Sequence, residues 1–154
     1  MPKIDIDRVR VSTRAYYPPP FDKVVAGRET KRLGDAIGLT QFGVSLVRLK
    51  PGAAAGVCHW HENEDEFVYV LEGEATLVED AGEIRLGPGG AAGFKAGVAN
   101  GHSMVNKSQA DVVMLVVGTR AKSERGHYPD VDLAYEFDDK TFRFLHKSGE
   151  PYTS

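Results

Sequence analysis

Cysteine is almost missing from this chain. A single residue, Cys58, among 154 excludes an internal disulfide framework and leaves the redox compartment unspecified. Long hydrophobic runs are missing as well. The longest strongly apolar stretch is Val112 to Val117, far short of the roughly 20 residues a bilayer span requires, so no membrane partner is expected. Basic charge is not in excess either. Nineteen Lys and Arg face 22 Asp and Glu, a formal net charge of −3, which argues against a nucleic-acid partner because nothing would neutralise a phosphate backbone. No internal repeat and no low-complexity linker divides the sequence. The opening segment, Met1 to Asp7, alternates charged and apolar residues and lacks a signal-peptide core, so a cytoplasmic location is expected.

What the chain does have is turns. Seventeen glycines and eight prolines punctuate a composition that is 42% hydrophobic and 27% charged, an ordinary globular mixture of single-domain length. Residues 1–41 read as an irregular N-terminal arm that packs on the rest of the protein or on a partner subunit. Its Tyr16-Tyr17-Pro18-Pro19-Pro20-Phe21 favours polyproline II, since proline fixes φ and lacks a backbone donor. Residues 42–118 carry short apolar or alternating runs separated by glycine. Strands are expected at Phe42–Leu49, Val57–His61, Glu66–Leu71, Glu74–Glu79, Glu83–Leu86, Ala91–Phe94, Gly101–Lys107 and Asp111–Gly118. That spacing is the signature of an all-β sandwich or barrel. Residues 119–154 form a C-terminal tail with a polar loop through Tyr128-Pro129-Asp130 and two strand-like pieces, Leu133–Phe137 and Phe142–Lys147. Two runs, Phe67–Leu71 and Val112–Val117, are apolar on both faces, so their outer face needs cover from an arm or a second subunit, and a homodimer is expected.

The segment His59-Trp60-His61-Glu62-Asn63-Glu64-Asp65-Glu66 carries the chemistry. On a strand, residues two apart face one side, roughly 6.6 Å from each other. His59 and His61 therefore point into the barrel together, while Cys58 and Trp60 point away. Glu66 has the wrong parity for a continuous strand, so the polar run Glu62 to Asp65 must bend to bring it back beside the histidines. Two imidazoles and a carboxylate form a mixed nitrogen and oxygen set that suits one divalent transition metal, whether Zn, Fe, Mn, Ni, Co or Cu, better than Mg or Ca. His102, which shares a strand face with Met104 and Asn106, offers a fourth ligand. Taken singly these features are ordinary: a His-x-His pair occurs on surfaces, Glu62, Glu64 and Asp65 read as a solvated acidic loop, and a lone His102 reads as a hydrogen-bonded core residue. It is the joint pattern in a glycine-punctuated β chain that points to a metal.

These residues resemble the cupin superfamily, whose motifs are written G-x5-H-x-H-x3,4-E-x6-G and G-x5-P-x-G-x2-H-x3-N. Gly52, His59, His61, Glu66 and Gly73 match the first, with six residues instead of five between Gly52 and His59. Gly97, His102 and Asn106 match the second, with Lys95 at the usual proline and four residues instead of two before His102. The resemblance covers residues 42–118. It implies an all-β, cupin-type jelly-roll barrel with terminal arms and a metal held by His59, His61, Glu66 and His102. The flanking segments are similar to a single-domain bacterial group called sugar-phosphate-isomerase-like.

Three functions fit such a site with a small-molecule ligand. The lead is a sugar or sugar-phosphate isomerase or epimerase, with the metal as Lewis acid. A metal-dependent dioxygenase uses the same ligands, and a non-catalytic sensor needs only binding. Candidate substrate contacts are Lys95, near the barrel mouth, and Arg48, which shares parity with Val44 and Leu46 and so is expected to point inward; Arg85 and Arg120 are further candidates for a phosphate.

Overall fold

Runs of four to eight residues, rich in β-branched side chains and bounded by glycine or proline, are too short to nucleate helices and long enough for strands. The structure, a computed structural model that describes residues 2–153, contains thirteen strands among those residues. They are β1 (Val11–Ser12), β2 (Arg28–Arg32), β3 (Phe42–Leu49), β4 (Trp60–His61), β5 (Glu66–Glu72), β6 (Ala75–Glu79), β7 (Gly82–Leu86), β8 (Ala91–Phe94), β9 (His102–Val105), β10 (Val112–Thr119), β11 (Glu124–Tyr128), β12 (Leu133–Phe137) and β13 (Phe142–Leu145). All pair antiparallel, in a six-stranded sheet of order β1-β2-β3-β10-β5-β8, a four-stranded sheet β13-β12-β11-β4 and a three-stranded sheet β7-β6-β9. The one α-helix among the described residues is a single turn, Leu33–Ala36. No helix among the described residues is long and apolar enough to cross a membrane.

The sheets face each other across the core that the alternation anticipated. Val47, Leu49, Val68, Val70, Val112 and Met114 of the six-stranded sheet pack with Ala75, Leu77 and Met104 of the three-stranded one. This is the jelly-roll expected from the sequence. A second, aromatic cluster joins Tyr128, Leu133 and Tyr135 of the four-stranded sheet to Tyr17 and Phe21 of the N-terminal arm. Gly73 sits in the turn between β5 and β6 at φ +77°, where a Cβ would overlap the Asp111 carbonyl oxygen, so the turn requires glycine for both conformation and space.

Three expectations need correction. Residues 1–41 are not wholly irregular: β2 pairs along β3 from Arg28↔Leu49 to Arg32↔Ser45 and widens the main sheet. The polar segment after Gly118 is not only loop, because Glu124 to Tyr128 forms β11 between β12 and β4. Arg48 does not point inward. Val47 and Leu49 take the core face of β3, and Arg48 lies outside, 3.3 Å from Asp111. Parity counted from Val44 and Leu46 misleads because those residues belong to the apolar outer face.

That outer face is open. Phe67, Tyr69 and Leu71 are all exposed, beside half-buried Leu115 and Val117 on the neighbouring strand. Neither terminal arm covers them among the described residues. If a second copy supplies the cover, sedimentation velocity is expected to give the mass of two chains, and Phe67→Glu with Leu71→Glu to give that of one with unchanged circular dichroism. A wild-type mass of one chain removes the homodimer expectation.

Candidate metal centre

Four segments deliver the donors. His61 is on β4, Glu66 opens β5, His102 opens β9, and His59 lies just ahead of β4 in a reciprocal backbone pair with His102, His59 N–H to His102 O at 3.1 Å and His102 N–H to His59 O at 3.0 Å. The expected strand from Val57 is therefore only Trp60–His61, extended by this bridge. His59 and His61 face one side, as their spacing requires, with rings 4.8 Å apart. Glu66 does return to them. Its Oε2 is 3.2 Å from His61 Nε2, 3.3 Å from His102 Nε2 and 3.8 Å from His59 Nε2. Donors that share a cation at about 2.1 Å and subtend a right angle stand about 3 Å apart. The donor atoms of His59, His61 and Glu66 all lie within 4.8 Å of one another, which could hold an ion, and His102 meets that set through Glu66.

The bend that resets Glu66 is solvated, as expected, with Glu62, Asn63 and Asp65 exposed, and it is also clamped by hydrogen bonds. The buried Glu124 carboxylate accepts the backbone N–H groups of Glu62 (2.9 Å), Asn63 (3.0 Å) and Arg125 (2.8 Å). Asp65 accepts from Ala96 N–H at 2.8 Å, Glu64 from Ala121 N–H at 3.1 Å, and Glu62 pairs with His127 at 2.7 Å. Glu124 was invisible in the sequence because it occupies an inward position of β11, where alternation predicts an apolar residue.

Each imidazole is oriented from behind. His59 Nδ1 lies 2.6 Å from the Val57 carbonyl oxygen. A carbonyl only accepts, so the proton sits on Nδ1 and the lone pair on Nε2 faces Glu66. His61 Nδ1 meets the Tyr135 hydroxyl at 2.8 Å. Tyr135 reaches it across Gly126, which pairs with His61 on one side and Tyr135 on the other. A Cβ at Gly126 would stand inside the Tyr135 ring. His102 is buried with its ring stacked flat on Phe94 at 3.5 Å, and its Nδ1 has no hydrogen-bond partner among the described residues. Asn106, the last residue of the second motif, is no ligand. Its Nδ2 donates to the Leu49 and Ala110 carbonyls at 2.9 and 2.7 Å and staples the loop after β9.

Burial by itself raises the Glu66 pKa, but hydrogen bonds from His102 and His61 and the electrostatic effect of His59 outweigh it and hold the carboxyl well below the usual range. Burial lowers His61, yet its hydrogen bond to Glu66 and the charges of Glu66, Glu124 and Glu64 raise it overall. The centre is thus an anion ringed by imidazoles, a donor set suited to a divalent transition metal.

Two cavities meet at His59. One of about 340 Å³ lies inside the barrel and is lined by His59, Glu66, His102, Val68 and Met114, with Arg28, Arg32 and Arg120. The other, about 740 Å³, is an aromatic mouth of Tyr17, Tyr128, Tyr135, Phe142 and Phe144 that shares Tyr16, Arg28 and Arg32 with the first. Lys95 is exposed and lines a separate cavity of about 410 Å³ that touches His61, Glu64 and His102. Arg48 and Arg85 reach none of these. Arg85 pairs with Glu74 at 3.9 Å. Arg28 and Arg32 were missed by the sequence reading; their signal was the alternation of Arg28-Glu29-Thr30-Lys31-Arg32. Cys58 is half-buried, its thiol pushed up to about 11 by burial and by Asp130, and it is inert at neutral pH.

The cupin domain model matches residues 45–118. A structure from Silicibacter pomeroyi named a sugar phosphate isomerase of the cupin superfamily is 45% identical, with 99% of this chain and 97% of that one covered at a TM-score of 0.94. The chain belongs to the cupin superfamily. A second relative, a candidate sugar phosphate isomerase from Acidithiobacillus ferrooxidans, is 30% identical over 82% of this chain and 81% of that one, with a TM-score of 0.74. The polyketide cyclase of Streptomyces resistomycificus, at 23% identity, 77% and 79% coverage and a TM-score of 0.64, shares the fold alone. No curated protein matches this cupin.

Tyr135 supplies a test of the arrangement. Tyr135→Phe removes the group behind His61 Nδ1 and is expected to weaken metal affinity about 10- to 100-fold; a competition titration with a chromogenic chelator measures it, and unchanged affinity contradicts the role. Metal retention is also expected to fall as pH drops from 8 to 5, because protons compete for the imidazoles, and the raised His61 starts that competition above its ordinary value. A flat profile contradicts histidine ligation.

Proposed function

We propose that this cupin is a metal-dependent enzyme acting on a small polar molecule, with sugar-phosphate isomerisation as the leading reaction. The observation that carries this reading is the gathering of the His59, His61 and His102 Nε2 atoms around the Glu66 carboxylate, beside a cavity lined by His59, Glu66 and His102. The near full-length relative named a sugar phosphate isomerase supports the choice of reaction.

His59, His61, Glu66 and His102 would hold the metal. When bound, a divalent transition metal supplies a Lewis acid that polarises a carbonyl or hydroxyl oxygen. The chain's own residues do the rest. The Val57 carbonyl and Tyr135 keep the histidines aimed, so little reorganisation accompanies binding. Val47, Val68, Met104 and Met114 give the inner cavity an apolar wall, a low-dielectric surface beside which polar contacts are stronger than in bulk water. Burial raises Tyr17 and Tyr128, so both hydroxyls at the mouth stay protonated.

Metal-loaded protein is expected to interconvert sugar phosphates without consuming oxygen, and His59→Ala with His61→Ala is expected to abolish both metal retention and turnover. Elemental analysis and a coupled assay, run with an oxygen electrode, measure this. Oxygen uptake coupled to product replaces the isomerase with the dioxygenase, and tight binding without turnover replaces it with the sensor.

A further inference from the structure

Strand β2 sorts its charges by parity. Glu29 and Lys31 face outward, where Glu29 lies 3.6 Å from Lys50 and Lys31 donates to the Ile6 carbonyl at 2.9 Å. Arg28, Thr30 and Arg32 align with Leu49, Val47 and Ser45 and face inward, onto the wall of the cavity that holds His59, Glu66 and His102. Neither Arg28 nor Arg32 has a carboxylate within ion-pair distance among the described residues, although acidic residues outnumber basic ones in the chain. Arg120, on the same cavity, is already paired with Asp35.

The two guanidiniums are held in place by neutral groups. Arg28 donates to the Ala55 carbonyl at 2.7 Å and to the Arg14 carbonyl at 3.2 Å. Arg32 donates to the Tyr16 hydroxyl at 3.2 Å and lies 5.6 Å from the centre of that ring, which Arg14 also approaches at 4.7 Å. Positive charge is therefore gathered and oriented at the junction of the two cavities without a direct ion-pair partner among the described residues. A guanidinium carries five N–H donors, and a planar fork matches an oxyanion edge. Two such forks match the charge and the three terminal oxygens of a phosphate monoester better than a single carboxylate.

We propose that Arg28 and Arg32 form the subsite for the phosphate group of the substrate, with the Tyr16 hydroxyl at its edge and the rest of the substrate extending toward His59. The assignment rests on the proposed function for the identity of the substrate, though not for the binding of the anion.

Isothermal titration of the metal-loaded protein with inorganic phosphate, ribose 5-phosphate, ribose and acetate tests it. Phosphate and ribose 5-phosphate are expected to bind, and ribose and acetate to bind much more weakly. Arg32→Gln is expected to weaken both phosphate ligands at least about tenfold with unchanged metal content, and Arg32→Lys to recover part of the loss. Arg28→Gln is expected to act in the same direction; because Arg28 also ties down two carbonyls, the exposed Arg32 carries the decision if that variant unfolds. Absence of phosphate binding at millimolar concentration, equal affinity in Arg32→Gln, or acetate binding as tight as phosphate overturns the subsite. Sugar-phosphate turnover with unaltered KM in Arg32→Gln also overturns the subsite and leaves the isomerase standing. Arginine-dependent phosphate binding without turnover supports the subsite and removes the isomerase.

Discussion

A carboxylate enclosed by three imidazoles is the constraint around which this protein is built. Removing an isolated carboxylate from water costs several kcal/mol even after relaxation. Glu66 offsets that cost through the imidazoles around it, above all the hydrogen bonds from His61 and His102, which keep its pKa low. The arrangement works only if His59, His61, Glu66 and His102 arrive together from separate segments. Much of the fold outside the apolar core serves that arrival.

The supports are specific. The paired backbones of His59 and His102 fix the distance between two of the rings. Glu124 gathers the amides of the turn between His61 and Glu66 and so sets how far the chain bends before β5 begins. Gly126 leaves room for Tyr135 to cross to His61. β11 thus contributes two inward residues that are poor hydrophobic material, a glutamate and a glycine, and both act on the metal centre. A strand that breaks the local apolar pattern does so where the function requires it.

Charge distribution follows the same logic on a larger scale. The acidic residues near the centre orient backbone or raise His61, while the arginines of β2 line the inner cavity without acidic partners. His59, Glu66 and His102 of the centre and the arginines of β2 line one cavity, with an aromatic mouth beyond. A ligand with one oxygen-rich reactive end and one anionic end matches that polarity.

Much of this was legible in the chain itself. Phe42–Leu49, Ala91–Phe94 and Leu133–Phe137 are strands with the bounds that their patterning implies, because alternation and turn residues act locally. The pairing of His59 with His61 followed from strand geometry, and the return of Glu66 from the need for a bend. The direction of Arg48 did not, because β3 is apolar on both faces and its parity cannot identify the core side. β2 and β11 did not, because their inward residues are charged or lack a side chain. Local pattern determined which segments extend and which carry metal-binding side chains. Tertiary pairing decided which faces turn inward, that the clamp is Glu124, and that two unpaired arginines stand in the cavity with the histidines, because those outcomes depend on strands far apart in the chain burying one another's polar groups.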